Sequence, residues 1–226
     1  MRIVAIIPAY NEEQRVKAAA EDAACFVDTV VVVDDCSGDA TFDRALEAGA
    51  HVLRHVVNRG QGAALQTGTE YALRELGADV IVHFDADGQM QGEEIQKVVA
   101  PILSGEADVV LGTRFSKEVP KVKMPLVRRV TLFLGLLFTR VVSGIKVSDT
   151  HNGFRALSKE AAEEVVITLD RMAHASEILD LIRAKKLRYT EVPVTIRYSE
   201  ETLQKGQSSL NSLKIVKDFI KGQFWG

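Results

Sequence analysis

Two cysteines in 226 residues, Cys25 and Cys36, are too few and too plainly spaced for a disulfide framework or a zinc site. A reducing compartment is therefore expected, with the cytoplasm as the default. A basic surplus is also missing: 28 Lys and Arg stand against 31 Asp and Glu, a net charge of -3, so the chain lacks the electrostatic footprint of a nucleic-acid binder. Long hydrophobic runs are absent too. Residues 3–7 are apolar, but Pro8 closes that run, so the start reads as a strand and not as a secretory leader. Residues 130–142 are interrupted by Thr131, Thr139 and Arg140 and fall short of the roughly 20 residues a membrane span requires. The chain is not expected to cross a bilayer by itself. No internal repeat or low-complexity tract appears, and 46% hydrophobic with 26% charged residues is the balance of a folded domain with a sizeable core.

What is present is an alternation. Short β-branched runs at residues 3–7, 30–33, 52–57, 80–84, 109–111 and 189–196 read as strands. Helical patterns fall between and after them, at 12–26, 40–48, 61–76, 93–103, 127–142, 159–168, 176–185 and 209–221. Strand followed by helix, repeatedly, predicts an α/β fold with a Rossmann-like, mostly parallel sheet and helices on both faces. Near-continuous valine strands such as Val30 to Val33 fit a sheet buried on both sides. Residues 118–125, with two prolines and two lysines, read as an exposed loop within one domain.

In open sheets of this kind ligands bind beyond the carboxyl ends of the strands, and acids gather there. The first strand runs into Pro8-Ala9-Tyr10-Asn11-Glu12, the second into Asp34-Asp35-Cys36-Ser37, and the fourth into Asp85-Ala86-Asp87-Gly88-Gln89. In an extended backbone Asp85, Asp87 and Gln89 project to one side. Hard oxygen donors without nearby His or Cys suit Mg²⁺ or Mn²⁺, with substrate phosphates completing the shell. The competing reading is turn and helix-cap chemistry for the same two aspartates. Asp34 and Asp35 repel each other beside a buried strand unless a neighbour offsets their charge. Asp39 reads as a cap for the helix starting near Ala40. Asn58-Arg59-Gly60-Gln61-Gly62 lets backbone approach a ligand, yet neither a P-loop nor a G-x-G-x-x-G follows the first strand, which excludes the two commonest nucleotide fingerprints.

Taken in order, Pro8-Ala9-Tyr10-Asn11-Glu12, Val33-Asp34-Asp35-Cys36-Ser37, Asp85-Ala86-Asp87-Gly88-Gln89 and Gly112-Thr113-Arg114-Phe115 resemble a family 2 glycosyltransferase of the GT-A fold. Asp149-Thr150-His151-Asn152-Gly153-Phe154-Arg155 and Glu191-Val192-Pro193-Val194 are similar to the branch of dolichyl-phosphate mannose synthases and bacterial polyprenyl-phosphate sugar synthases. The resemblance implies one GT-A domain over residues 1–226, with a nucleotide-sugar-binding half at 1–115 and acceptor-side helices at 116–226. It implies that Pro8, Tyr10, Glu12, Val33 and Asp35 hold the donor nucleoside. Asp85, Ala86, Asp87 and Gln89 match the metal and diphosphate motif, with Asp85, Asp87 and Gln89 as ligands of Mg²⁺ or Mn²⁺. Arg114 matches a phosphate-contacting arginine, while Arg197 and Lys205 are the candidates for a donor-binding Arg and Lys in the C-terminal loop. Ser209 stands where the family's Gly-x-Ser-Lys pattern has Lys.

The implied reaction is inverting transfer from a UDP- or GDP-sugar to a polyprenyl phosphate, undecaprenyl or dolichyl, serving cell-envelope glycan or protein glycosylation. A phosphate acceptor is largely ionised at neutral pH and needs little help from a base. An alcohol acceptor needs a positioned carboxylate, for which Asp149 and Glu177 are the candidates; transfer to a saccharide hydroxyl and a non-enzymatic sugar-nucleotide module are the alternatives. Arg155 has the guanidinium fork that would bind an acceptor phosphate. His151 and His174 are too far apart in sequence to suggest zinc. Arg128 and Arg129 ahead of the apolar residues to 142 suit a helix lying in the lipid headgroups, or equally one buried in the core or in a dimer. Peripheral attachment at the inner face of the cell membrane, with a small membrane protein as partner, is what the family's short forms imply.

Overall fold

The computed structural model of the chain describes residues 1–115, 145, 147–150, 152–169 and 173–197. Seven strands form one sheet in the order β3-β2-β1-β4-β6-β5-β7. They are β1 (Ile3–Ala9), β2 (Thr29–Asp34), β3 (His51–Arg54), β4 (Val80–His83), β5 (Val109–Thr113), β6 (Arg155–Ser158) and β7 (Tyr189–Pro193). The β1–β2, β1–β4, β2–β3 and β5–β7 pairings are parallel, and only β6 runs antiparallel, between β4 and β5. The sheet is thus mostly parallel, as the alternation predicts.

The helices are α1 (Val16–Ala24), α2 (Thr41–Glu47), α3 (Gln61–Arg74), α4 (Ile95–Leu103, entered through a single 3-10 turn), α5 (Lys159–Glu164) and α6 (His174–Ala184). Pleating divides the strand residues between two cores. Ala5, Ile7, Val30, Val32, Val82 and Phe84 pack with Ala20 of α1 and Val98 of α4. Val4, Ile6, Val31, Val33 and Ile81 pack with Leu65 of α3, Ala161 of α5 and Ile178 of α6. Strands apolar on both faces are what this double covering demands. Gly68 lets α3 approach the sheet: a Cβ there would collide with Ile6 Cγ2 and lie 3.1 Å from Val33 Cγ2.

Several elements differ from expectation. β3 ends at Arg54 and not near residue 57, because His55 onward turns toward Asp35. α1 begins at Val16, not residue 12: the Glu12 carbonyl accepts from Arg15 and Val16 N–H in a turn that precedes it. α5 stops at Glu164, opened by Ser158, whose Oγ accepts the Ala161 N–H at 3.2 Å. β6 is an element the sequence pattern does not announce. The expected helices at 127–142 and 209–221 lie outside the described residues.

Two features place the site. The chain leaves β1 for β2 and β3 on one side and resumes with β4 on the other, so the crevice between the carboxyl ends of β1 and β4 is the switch point where doubly wound sheets bind ligands. Because β6 is antiparallel, its first residue, Arg155, lies beside His83 and Leu111 at that same rim.

Candidate active site

The rim is built from three strand ends tied together by side chains. After β1, Asn11 adopts a positive φ of 54° and its N–H donates to Ser37 Oγ at 2.9 Å, while Gly38 N–H donates to Asn11 Oδ1 at 2.9 Å. Glu12 N–H donates to Thr41 Oγ1 at 2.8 Å. The loops after β1 and β2 therefore form one unit. Pro8 pairs with Val33 in the β1–β2 ladder, and Tyr10 stands half exposed beyond them.

The acid pair after β2 finds the offset its sequence demands. Asp34 is fully buried, accepts Ser37 N–H at 2.9 Å, and lies 3.2 Å from Arg54 Nε. Asp35, also buried, receives His55 Nδ1 at 2.7 Å and the backbone N–H groups of Arg59 and Gly60 at 2.9 and 2.6 Å. Its carboxylate points to the amino end of α3. Asp39 accepts from Thr41 N–H and Oγ1, at 3.0 and 2.5 Å, in a turn ahead of α2, whose capping position is Ala40 and carries no side-chain cap, so the expected cap is not formed.

The D-x-D-x-Q segment follows β4. Asp87 Oδ1 accepts the Gln89 N–H at 3.0 Å, the turn chemistry that competes with a ligand reading. Asp85 does something else. Its Oδ1 accepts from Gln61 Nε2 at 2.8 Å, and its Oδ2 lies against the backbone of Gly153, where a Cβ would stand 2.6 Å away. Burial, then the neighbouring charge of Asp87, pushes the Asp85 carboxyl up to about 7, against the opposing effects of Arg155, Gln61 and Arg114. Asp87 is raised as well, by burial first and by the charge of Glu12 in the loop after β1. Two partly buried carboxylates that resist joint ionisation suit a divalent cation, and the donors are all oxygen. Among the described residues no three His, Cys, Asp or Glu side chains converge on one point. The fit is therefore to an ion that takes two protein carboxylates and completes its shell with phosphate and water, as Mg²⁺ and Mn²⁺ do.

Beyond β5, Arg114 is clamped by Asp149. Arg114 Nε and Nη2 donate to Asp149 Oδ2 and Oδ1 at 2.7 and 2.9 Å, and Arg114 N–H adds a third bond at 3.2 Å. Asp149 is held in turn by Glu191, whose Oε1 accepts from Ser148 N–H at 2.8 Å, Ser148 Oγ at 2.9 Å and Asp149 N–H at 3.4 Å. Glu177, the other carboxylate considered as a base, caps the 168–169 turn through Thr168 N–H, Thr168 Oγ1 and Leu169 N–H.

Arg155 is 2% exposed, beside His83 in the β4–β6 ladder, and its Nη1 has no hydrogen-bond partner among the described residues. Burial lowers it to about 10 against the charges of Asp85 and Asp149, while burial and the charge of Arg155 hold His83 neutral, near 3. The guanidinium thus balances two site carboxylates from beneath. Arg197 is exposed, and its backbone N–H donates to the Gln89 carbonyl at 2.8 Å, which brings the segment after β7 to the D-x-D-x-Q segment. Lys205 and His151 lie outside the described residues. Sequence reasoning did not single out the side chains of Gln61, Glu191, Arg54 or His55; the one available signal was the unexplained Asp34-Asp35 pair, which called for nearby cations.

The sequence model described as glycosyl transferase family 2 matches residues 4–166. A UDP-N-acetylglucosamine--dolichyl-phosphate N-acetylglucosaminyltransferase of Methanococcus voltae is 34% identical, covering 94% of this chain and 92% of its own. An undecaprenyl-phosphate mannosyltransferase of Micrococcus luteus is 30% identical, covering 100% of this chain and 94% of its own. In fold, the chain is similar to glucosyl-3-phosphoglycerate synthase of Mycobacterium tuberculosis crystallised with Mn²⁺ and UDP-glucose, with a TM-score of 0.67, 21% identity, and coverage of 94% and 74%.

Proposed function

The chain belongs to glycosyl transferase family 2, and from that premise we propose that it transfers a sugar from a UDP- or GDP-sugar to a polyprenyl phosphate. An oxygen of the acceptor phosphate attacks the anomeric carbon. The bond from that carbon to the donor diphosphate breaks, its electron pair leaves with the nucleoside diphosphate, and the product is an inverted polyprenyl-phosphate sugar. Relatives named for dolichyl-phosphate and undecaprenyl-phosphate transfer support this acceptor class along nearly the whole chain.

The observation that carries the reading is the Arg114–Asp149 clamp. An alcohol acceptor needs a carboxylate able to turn toward its hydroxyl, but Asp149 is held through both oxygens by Arg114, and Glu177 is held in a turn. A phosphate acceptor arrives already ionised and makes no such demand. In this reading Asp149 orients Arg114, and Arg114 stabilises charge gathering on the departing diphosphate. Asp85 and Asp87, with Gln89 beside them, would hold Mg²⁺ or Mn²⁺, which supplies Lewis-acid stabilisation of the same leaving group. Pro8, Tyr10, Glu12, Val33 and Asp35 border the nucleoside end, and Arg197 approaches from the segment after β7. Arg155 acts from below as a charge balance for Asp85, since its burial keeps it from reaching a lipid phosphate directly.

No described helix is long and apolar enough to cross a membrane. The lipid acceptor places the reaction at a membrane surface, and peripheral attachment to the inner face of the cell membrane, aided by a small membrane partner, completes the proposal. The test is incubation of the protein, Mn²⁺ and each common UDP- and GDP-sugar with undecaprenyl or dolichyl phosphate, read as acid-labile glycolipid. Transfer to a saccharide hydroxyl, with none to any polyprenyl phosphate, would overturn it.

A further inference from the structure

The loop between β3 and α3 reaches both acids that flank β1. Asp35 accepts the N–H groups of Arg59 and Gly60, and its backbone carbonyl accepts from Asn58 Nδ2 at 3.3 Å. One residue later Gln61 opens α3, and its Nε2 reaches Asp85 Oδ1 at 2.8 Å. The helix that carries it is fixed in place. A Cβ on Gly62 would collide with the Leu169 carbonyl and stand 2.9 Å from His174 Cβ, and Gly68 is pressed against Ile6 and Val33. On its other side the Asp85 carboxylate meets the bare backbone of Gly153.

Asp85 is thus held between an amide on a rigid helix and a residue that has no room for a side chain. An amide donor suits a carboxylate that must take a cation. It fixes the rotation of the group through one oxygen, leaves the remaining lone pairs available, and brings no positive charge to compete with the ion. Side chains that support a metal ligand in this way set affinity through orientation, and their loss commonly costs about 10- to 100-fold in metal affinity or activity.

We propose that Gln61 is a positioning residue for the divalent cation, presetting the Asp85 carboxylate through its side-chain amide. The proposal rests on the reading of Asp85 as a cation-holding residue. It is tested by titrating Mn²⁺ into the full chain, in the presence of UDP and separately of GDP, and following free Mn²⁺ by electron paramagnetic resonance. Wild type, Asp85→Asn, Gln61→Met and Gln61→Ala are compared. Gln61→Met keeps the approximate length of the side chain and removes the amide, and with it the donor to Asp85.

Both Gln61 variants should bind Mn²⁺ about tenfold more weakly, with melting temperatures in EDTA close to wild type. Half-maximal activity should need correspondingly more Mn²⁺, while kcat at saturating Mn²⁺ stays near wild type, a split that a general loss of structure would not give. If Asp85→Asn abolishes Mn²⁺ binding while both Gln61 variants bind as wild type does, the positioning role is refuted and the cation reading survives. If Asp85→Asn binds Mn²⁺ as wild type does, the cation reading fails and this inference fails with it.

Discussion

Replacing Asp85 by Asn should make the metal-free protein more stable at neutral and alkaline pH, not less. Asp85 is held at about 7 instead of the ordinary 3.8, with burial as the largest cause and Asp87 the next. At about 1.36 kcal/mol per pK unit, ionising it in the folded protein costs at most about 4 kcal/mol. The side chain is partly open to water, which screens that cost to about 1–2 kcal/mol. Below the unfolded value both states are protonated and nothing is lost. As pH rises from about 4 to 7 the unfolded chain ionises first and the folded state loses relative stability; above the folded value the loss is complete. Asn keeps the shape and its carbonyl still accepts from Gln61 Nε2, so the substitution removes charge and little else. Thermal unfolding in EDTA should therefore show Asp85→Asn level with wild type at about pH 4 and higher by roughly 2–8 °C at about pH 8, at 2–4 °C per kcal/mol for a chain of this size. Millimolar Mn²⁺ with nucleotide should raise wild type alone, by mass action. Equal melting temperatures across the whole range, or a variant less stable at pH ~8, would refute the claim that this carboxylate is held at an electrostatic cost.

Asp149→Asn should lower kcat by about tenfold to a hundredfold by releasing Arg114 from its orientation, with an unchanged pH–rate profile; loss of the acidic limb would identify Asp149 as a base instead. Arg114→Met should cost about 10²–10³ in kcat, measured as initial glycolipid formation. Gly68→Ala should destabilise by about 1–3 kcal/mol through overpacking against Ile6 and Val33, seen as a lower denaturation midpoint in urea. His83, held near 3 instead of 6.5, makes the folded state lose stability as pH falls below the unfolded value, so His83→Gln should flatten the acid side of the stability curve.

Much of this was legible in residue order. The β-branched, apolar runs of β1, β2 and β4 are buried on both faces and so carry their identity in composition alone, and the acids at their ends announce the rim. β6 is not legible. Its four residues, Arg-Ala-Leu-Ser, show no strand pattern, and the segment is a strand only because β4 and β5 lie to either side with open backbone groups to pair. Arg155 belongs to the same strand: in sequence it is a guanidinium that could take an acceptor phosphate, in the fold it is a buried member of the sheet. The role of Asp149 depends on a partner far back in the chain, and Gln61 on a helix whose position is set by two glycines; neither relation leaves a local pattern. The charge problem of Asp34 and Asp35 was visible, but that Arg54, His55 and the amino end of α3 solve it was not.

The account turns on an acceptor phosphate oxygen becoming bonded to the sugar's anomeric carbon. Polyprenyl phosphate carrying oxygen-18 at its non-bridging positions tests this directly, with the lipid product and the released nucleotide examined by phosphorus NMR and mass spectrometry. The account predicts label in the bridge between lipid phosphorus and sugar, inversion at the anomeric carbon, and none in the nucleoside diphosphate. An unlabelled bridge, or a polyprenyl diphosphate sugar formed by attack at phosphorus, would contradict it.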